Sequence, residues 1–291
     1  MESWEPDTLI YPVSLEHHLS NEDKYYSPKD TKGLPMKKYK SMGLQYNPTR
    51  ISSYGLANWN RWIKFSRTDC RDIFLQVAKW FMRSENGAWK YEFDWFGGDL
   101  KAPWISCMAQ GQGISILVRA YRLTGENKFL NQAFMALNVL LTPIENGGLA
   151  SDLEGDLFFE EYPLSQPMHV LNGFLFTMIG LIELYTVSEN KKVAALIEML
   201  GNVLQRNLYR WDLNGWSAYD LHNENNKFRN FCTVSYHGLH VTQLKFIGNY
   251  LNIPLIKITG EHWDYQRRKF PLRLRAMIGK IRYRLLYRPQ R

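Results

Sequence analysis

The chain has little cysteine. Cys70, Cys107 and Cys232 are odd in number and far apart. That spacing argues against a disulfide framework and fits a reducing compartment. No Cys or His falls at metal-ligand spacing, so no metal is expected. A charged N-terminal region followed by an apolar run is missing, so no secretory signal is expected. No apolar run reaches membrane-spanning length. The most apolar stretch, Val170 to Tyr185, is interrupted by Asn172, Gly173 and Glu183 and reads as a buried helix. No nucleic-acid recognition motif accompanies the basic charge, which disfavours a nucleic-acid partner.

Aromatic residues are plentiful. Ten Trp, 17 Tyr and 15 Phe stand among 291 residues, a length that allows one large domain or two small ones. Most aromatic rings belong to cores, yet an excess of this size also suits a carbohydrate cleft, because sugar faces stack on rings. The net charge of +8 is unevenly placed. Residues 266–291 carry ten Lys or Arg and no acid, so the remainder holds 26 basic against 28 acidic residues and is near neutral. Within this tail Leu274, Met277 or Ile278, Ile281 and Leu285 recur at helical spacing. Arg273, Arg275, Lys280, Arg282 and Arg284 lie between them. A basic amphipathic helix of this kind predicts peripheral contact with an anionic membrane; docking on an acidic partner is the competing expectation.

Residues 1–45 are polar and punctuated by Pro6, Pro12, Pro28 and Pro35, which predicts an extended arm rather than a domain. From Thr49 helical periodicity dominates. A paired-helix unit recurs four times: Gly55 to Phe81, Gly113 to Leu141, Gly173 to Leu204 and Gly238 to Phe270. The expected turns fall at Ser66 to Asp69, Thr124-Gly125-Glu126, Ser188 to Asn190 and Asn252 to Gly260. Four such hairpins cannot bury their apolar faces alone and predict an all-α-dominated α/α toroid (barrel), residues 46–265, with first helices inside. Its long connections, Arg83 to Gln110, Thr142 to Val170 and Tyr209 to Ser235, should meet on one rim and carry function. A small β-hairpin is expected near Trp89-Lys90-Tyr91-Glu92-Phe93, which alternates.

The chemistry is expected at Phe158-Phe159-Glu160-Glu161-Tyr162-Pro163. A carboxylate beside apolar surface has its pKa raised toward neutrality, which makes it a usable base or acid. The adjacent phenol is a second proton donor. A solvated loop with one buried tyrosine is the plainer alternative.

Several segments resemble one family. Pro103-Trp104-Ile105-Ser106-Cys107-Met108-Ala109-Gln110-Gly111-Gln112-Gly113 resembles the SAMAQGQG signature of D-glucuronyl C5-epimerases, which act on heparosan-type chains. Glu160-Glu161-Tyr162-Pro163 followed by Val170-Leu171-Asn172-Gly173-Phe174 is similar to that family's EEYP and VLNGF segments. Tyr219-Asp220-Leu221, Tyr236-His237 with His240 and Gln243-Leu244, and Asn47-Pro48 with Tyr54-Gly55-Leu56 resemble three more of its segments, in the same order. The resemblance implies C5 epimerisation of glucuronate to iduronate within an acidic polysaccharide, without an organic cofactor. It implies that Glu161 and Tyr236 flank C5 and that Tyr162 and Tyr219 complete the acid/base and carboxylate-binding set. It also implies a homodimer. The arginine that follows the Tyr-Asp-Leu segment in the family is His222 here, and Cys107 replaces an alanine. The large β-rich domain of animal members is lacking between Leu56 and the helices.

Positive charge near a phenol could come from His222, His237, His240 or Arg119; His240 also reads as structural, and Arg119 as facing either the bore or the surface. Gln110, Gln112 and Asn172 suit sugar hydroxyls or helix caps. Trp104 suits stacking or the core. Glu160, Tyr46 and Tyr54 complete the candidate substrate contacts. A polysaccharide lyase shares the first proton abstraction. A glycoside hydrolase would pair Glu161 with Asp220, Asp152 or Asp156. A glycan-binding scaffold without catalysis is the alternative of a different class. The expected location is cytoplasmic, peripheral at the inner membrane.

Overall fold

A computed structural model describes residues 10–19, 25–222, 224–226 and 228–287. Four helical hairpins follow one another: α1 (Pro48–Phe65) with α2 (Thr68–Phe81), α3 (Cys107–Thr124) with α4 (Asn127–Leu141), α5 (Leu171–Ser188) with α6 (Lys191–Asn207), and α7 (Val234–Leu251) with α8 (Pro254–Gln266). A ninth helix, α9 (Phe270–Leu286), ends the described chain. The first helices of the hairpins pack side by side in chain order, α1 on α3, α3 on α5 and α5 on α7, and each second helix folds back on its own first. This is the inner and outer layering expected of an α/α fold.

Local chemistry sets the helix ends. Asn47 caps α1 by accepting from Arg50 N, with Pro48 at the first helical position. Asn190 caps α6 by accepting from Lys192 N and Val193 N. Gly125 ends α3 in the left-handed conformation at φ 71°, where glycine carries no Cβ penalty. The closest crossing is α3 on α5. A Cβ on Gly111 would lie 2.5 Å from Thr177 Cα, and one on Gly180 would lie 2.3 Å from Gly111 O. Neither of these glycines leads a hairpin, so the backbone contact falls elsewhere than the repeat suggests.

Helix α5 is buried without a break from Leu171 to Leu184. By length and a mean hydropathy of 1.4 it could cross a bilayer, contrary to the reading of the bare sequence. Its place between α3, α6 and α7 is that of a core helix. Another difference lies in the fourth hairpin. Thr259-Gly260-Glu261 sits inside α8, because Pro254 starts that helix directly after Asn252. Gly260 there lets α8 approach Leu244 and Lys245 of α7.

The N-terminal arm is pinned to the helices. Tyr11, Val13, Leu15 and Leu19 join the main core, and Tyr11 N donates to Asn60 Oδ1 at 2.6 Å. The arm ends in a hairpin of β1 (Met36–Tyr39) and β2 (Gly43–Tyr46), paired Met36 to Tyr46. A second hairpin, β3 (Ala150–Leu153) and β4 (Asp156–Phe159), turns at Glu154-Gly155, both at positive φ. The Trp89 to Phe93 stretch makes a single bridge, Tyr91 to Trp104, rather than a strand.

The basic segment does not stand off from the domain. Ala276 and Tyr283 of α9 are buried, and Leu272 joins a small core with Trp216 and Cys232. Gly279 permits contact with Phe231, and Arg275 donates to the carbonyls of Leu213 and Asn214. The helix therefore docks on the connection between α6 and α7. Its opposite face leaves Met277, Ile281 and Leu285 exposed, as the spacing predicts.

Candidate active site

Strand β4 delivers Glu160 and Glu161 to the N-terminal ends of the inner helices. Glu160 N donates to Leu149 O at 2.9 Å, and Glu160 O accepts from Cys107 N at 3.0 Å, which ties the strand end to the start of α3. The two carboxylates then diverge. Glu160 is fully buried and accepts from Ser151 Oγ (2.8 Å), Met168 N (3.2 Å) and His169 N (3.0 Å), with His169 Nδ1 2.6 Å away. It braces the loop leading into α5 and is not among the residues that line the cleft.

Glu161 lies against the start of α5, where a Cβ on Gly173 would fall 2.9 Å from Glu161 Oε2. Its Oε2 accepts from Asn172 Nδ2 at 3.2 Å and its Oε1 from the Tyr219 hydroxyl at 3.3 Å. Only 7% of the residue is exposed. Burial pushes the carboxyl up to about 7, against the opposing pull of hydrogen bonds from Tyr162, Tyr219 and Asn172. The Tyr162 and Tyr219 hydroxyls are 3.4 Å apart. Burial, followed by the Glu161 charge, pushes both phenols well above the usual tyrosine range. They are proton donors at neutral pH. Tyr236 comes from the first turn of α7, which Thr233 caps, and meets Tyr219 edge to face at 5.5 Å.

Tyr162, Tyr219 and Tyr236 line a cleft of about 650 Å3. Trp95 and Phe96 stand on one side; Asp220, His222 and Asn230 belong to the connection between α6 and α7. Four residues of α9 and its end, Lys280, Tyr283, Arg284 and Tyr287, complete the wall. Asp220 is buried with its Oδ2 accepting from Asn230 Nδ2 at 2.5 Å, while Oδ1 has no hydrogen-bond partner. Burial raises this carboxyl to about 6.

The structure thus brings together Glu161, Tyr162, Tyr219 and Tyr236, with Asn172 holding Glu161 and His222 on the cleft wall. Other sequence candidates sit elsewhere. Arg119 is paired with Glu183 near the far ends of α3 and α5, 3.0 Å from Ser115 O and over the Tyr11 and Trp59 rings. His237 Nδ1 accepts from Ser217 N and its Nε2 lies 3.2 Å from Trp263 O. His240 Nδ1 meets Ser217 Oγ at 2.9 Å. Burial lowers these rings to about 4 and about 3, so they are neutral and cannot supply positive charge to a phenol.

Gln110 accepts from Trp89 N and donates to Gly87 O, so it fastens a loop. Gln112 accepts from Ser52 Oγ at 2.6 Å, joining α3 to α1. Trp104 stacks on Tyr91 at 3.9 Å and touches the site only through Tyr162, 6.0 Å away. Tyr54 binds Lys29 Nζ, and Tyr46 binds Asp30, both away from the cleft. Sequence reasoning missed Asn230 and all of α9. The α9 residues gave a signal, their charge, but as a face and not as a wall.

Inner helices in a row, with a rim cleft of phenols around an uncompensated carboxylate, define an α/α-hairpin domain equipped for acid–base chemistry. The chain belongs to the D-glucuronyl C5-epimerase C-terminus family, which residues 83–265 match. It is 29% identical over 209 residues to the D-glucuronyl C5-epimerase of Caenorhabditis elegans, covering 65% of this chain and 34% of that protein. It is 27% identical over 165 residues to an uncharacterised protein of Methanocaldococcus jannaschii, covering 55% and 52%. The chain thus spans about a third to a half of the lengths of these relatives. The cellobiose 2-epimerase of Bacillus thermoamylovorans shares the fold, with a TM-score of 0.57 at 12% identity over 89% of this chain and 74% of that one.

Proposed function

We propose that this protein epimerises D-glucuronate to L-iduronate residues within a heparosan-like polysaccharide. The observation that carries the reading is Glu161, a buried carboxylate poised near neutral pH, with three phenols around it and no cation against it among the described residues. The ionised carboxylate takes the proton from C5. The electron pair of that C–H bond moves into the adjacent carboxylate of the sugar, giving an enediolate. A phenol on the other face, Tyr236, gives its proton to C5, and the enediolate collapses to the epimeric uronate. Glu161 is left protonated and Tyr236 ionised, and the pair resets through the Tyr162 and Tyr219 hydroxyls or through water. A phenol is protonated at neutral pH and can therefore donate in this step.

A polysaccharide lyase would form the same enediolate and expel the C4 substituent. The test is incubation with N-acetylheparosan in D2O, followed by NMR at C5. Deuterium at C5 with iduronate signals supports the proposal. Absorbance from an unsaturated uronate supports the lyase instead, and no exchange with any uronate polymer overturns both.

The exposed apolar stripe of α9, flanked by Arg273 and Arg282, supports peripheral attachment to an anionic bilayer as part of this reading. Co-sedimentation with phosphatidylglycerol vesicles tests it. Replacing Met277, Ile281 and Leu285 with serine should release the protein; unchanged sedimentation counts against attachment.

A further inference from the structure

Enediolate formation places a second negative charge on the substrate carboxylate, which a cation near the reacting carbon would stabilise. Three of the groups that the sequence offered do not provide it. His237 and His240 are buried and neutral, and Arg119 is committed to Glu183. Among the described residues that line the cleft, the Lys and Arg side chains are Lys280 and Arg284, one helical turn apart on α9.

Lys280 stands at the reacting end. Its Nζ donates to Asn230 Oδ1 at 2.6 Å and lies 5.4 Å from the centre of the Tyr219 ring, whose hydroxyl holds Glu161. Asn230 in turn donates to Asp220 Oδ2, and that acid also lines the cleft. The register of α9 is fixed: Gly279 abuts Phe231, Tyr283 is buried, and Arg275 grips two carbonyls. The ammonium is therefore delivered by packing and not by a loose side chain at a chain end. This helix lies beyond residue 265, where the family match stops.

We propose that Lys280 binds the carboxylate of the reacting uronate, and that Arg284 extends the positive wall along the polymer. The inference rests on the uronate reading of the site. It makes α9 a specificity element of the cleft, selecting acidic over neutral sugars.

The test measures binding of a heparosan hexasaccharide and its carboxyl-reduced counterpart to wild type, Lys280→Gln, Lys280→Arg and Arg284→Gln, with C5 exchange read in the same samples. Glutamine keeps a hydrogen-bond donor for Asn230 and removes the charge, so a role limited to anchoring predicts little effect. Wild type should prefer the acidic sugar by about tenfold or more, a preference that weakens with salt. Lys280→Gln should lose most of that preference while binding the reduced sugar as wild type does, Lys280→Arg should keep it, and Arg284→Gln should lose a smaller part. An unchanged preference in folded Lys280→Gln overturns the proposal. So does a wild-type protein that binds both sugars equally, however the variants fold. Loss of preference in Lys280→Gln without any C5 exchange by wild type would leave the inference standing and sink the epimerase reading. Exchange with the preference intact in Lys280→Gln would do the reverse.

Discussion

Helices α3 and α5 bury a carboxylate at each end of their contact, and the two have opposite surroundings. Near the far end Glu183 receives both arms of the Arg119 guanidinium, at 2.5 and 2.7 Å. At the rim Glu161 receives only an amide and phenols. Both are removed from water by the same helix pair, so burial does not distinguish them. The partner does. Glu183 is engaged in a bidentate ion pair, whereas neutral donors leave Glu161 free to gain and lose a proton near pH 7. Glu160 adds a contrast one residue away, since its buried oxygens are occupied by backbone amides and Ser151.

The comparison breaks most sharply at Glu161. Glu161→Gln keeps the shape and one acceptor oxygen and removes the base, so C5 exchange should fall by about 100-fold to 10,000-fold. Tyr236→Phe should lose exchange in the same range, as it removes the proton donor on the other face. An active Glu161→Gln would mean that the rim carboxylate is structural too.

At the far end the effect is on folding. Arg119→Met leaves Glu183 buried without its cation and should cost about 3–5 kcal/mol in urea denaturation. Arg119→Met with Glu183→Met should recover much of that loss, since an apolar pair fills the same space. Recovery would show that the cost is an unpaired charge and not a lost shape.

A stability measurement against pH sharpens the contrast further. The Glu161 pKa is higher in the folded chain than in the unfolded one, so the native state binds more protons between about pH 4.5 and 7. Its contribution to stability is therefore full below that window and is lost as pH rises through it. Glu161→Gln should be more stable than wild type at pH 8, by about 3 kcal/mol at most, and nearly equal at pH 4.5. The smallest effect belongs to Asn172→Ala. Losing one donor to the carboxylate should move the rising limb of the exchange rate upward by about one pH unit or less.

Much of this was legible in the sequence. The four hairpins were readable because apolar spacing and left-handed turn residues such as Gly125 are local signals. The candidate cluster was visible because Glu161, Tyr162, Tyr219 and Tyr236 sit in short segments that resemble a known family. Other features depend on contacts distant in sequence. Arg119 read as facing the bore or the surface, and its burial depends on Glu183, 64 residues away. His237 and His240 look like site residues until Trp263 and Ser217 are seen to engage them. The basic C-terminal stretch read as an amphipathic helix for a membrane or an acidic partner, because its docking residues, Ala276, Gly279 and Tyr283, are few and carry no charge.

The most direct test of the contrast is the titration of Glu161 itself. Its side-chain carboxyl 13C resonance, assigned by its absence in Glu161→Gln, should shift with a midpoint near pH 7. A midpoint at the ordinary glutamate value of about 4.3 would mean that burial does not raise Glu161, and the contrast between the two ends would fall.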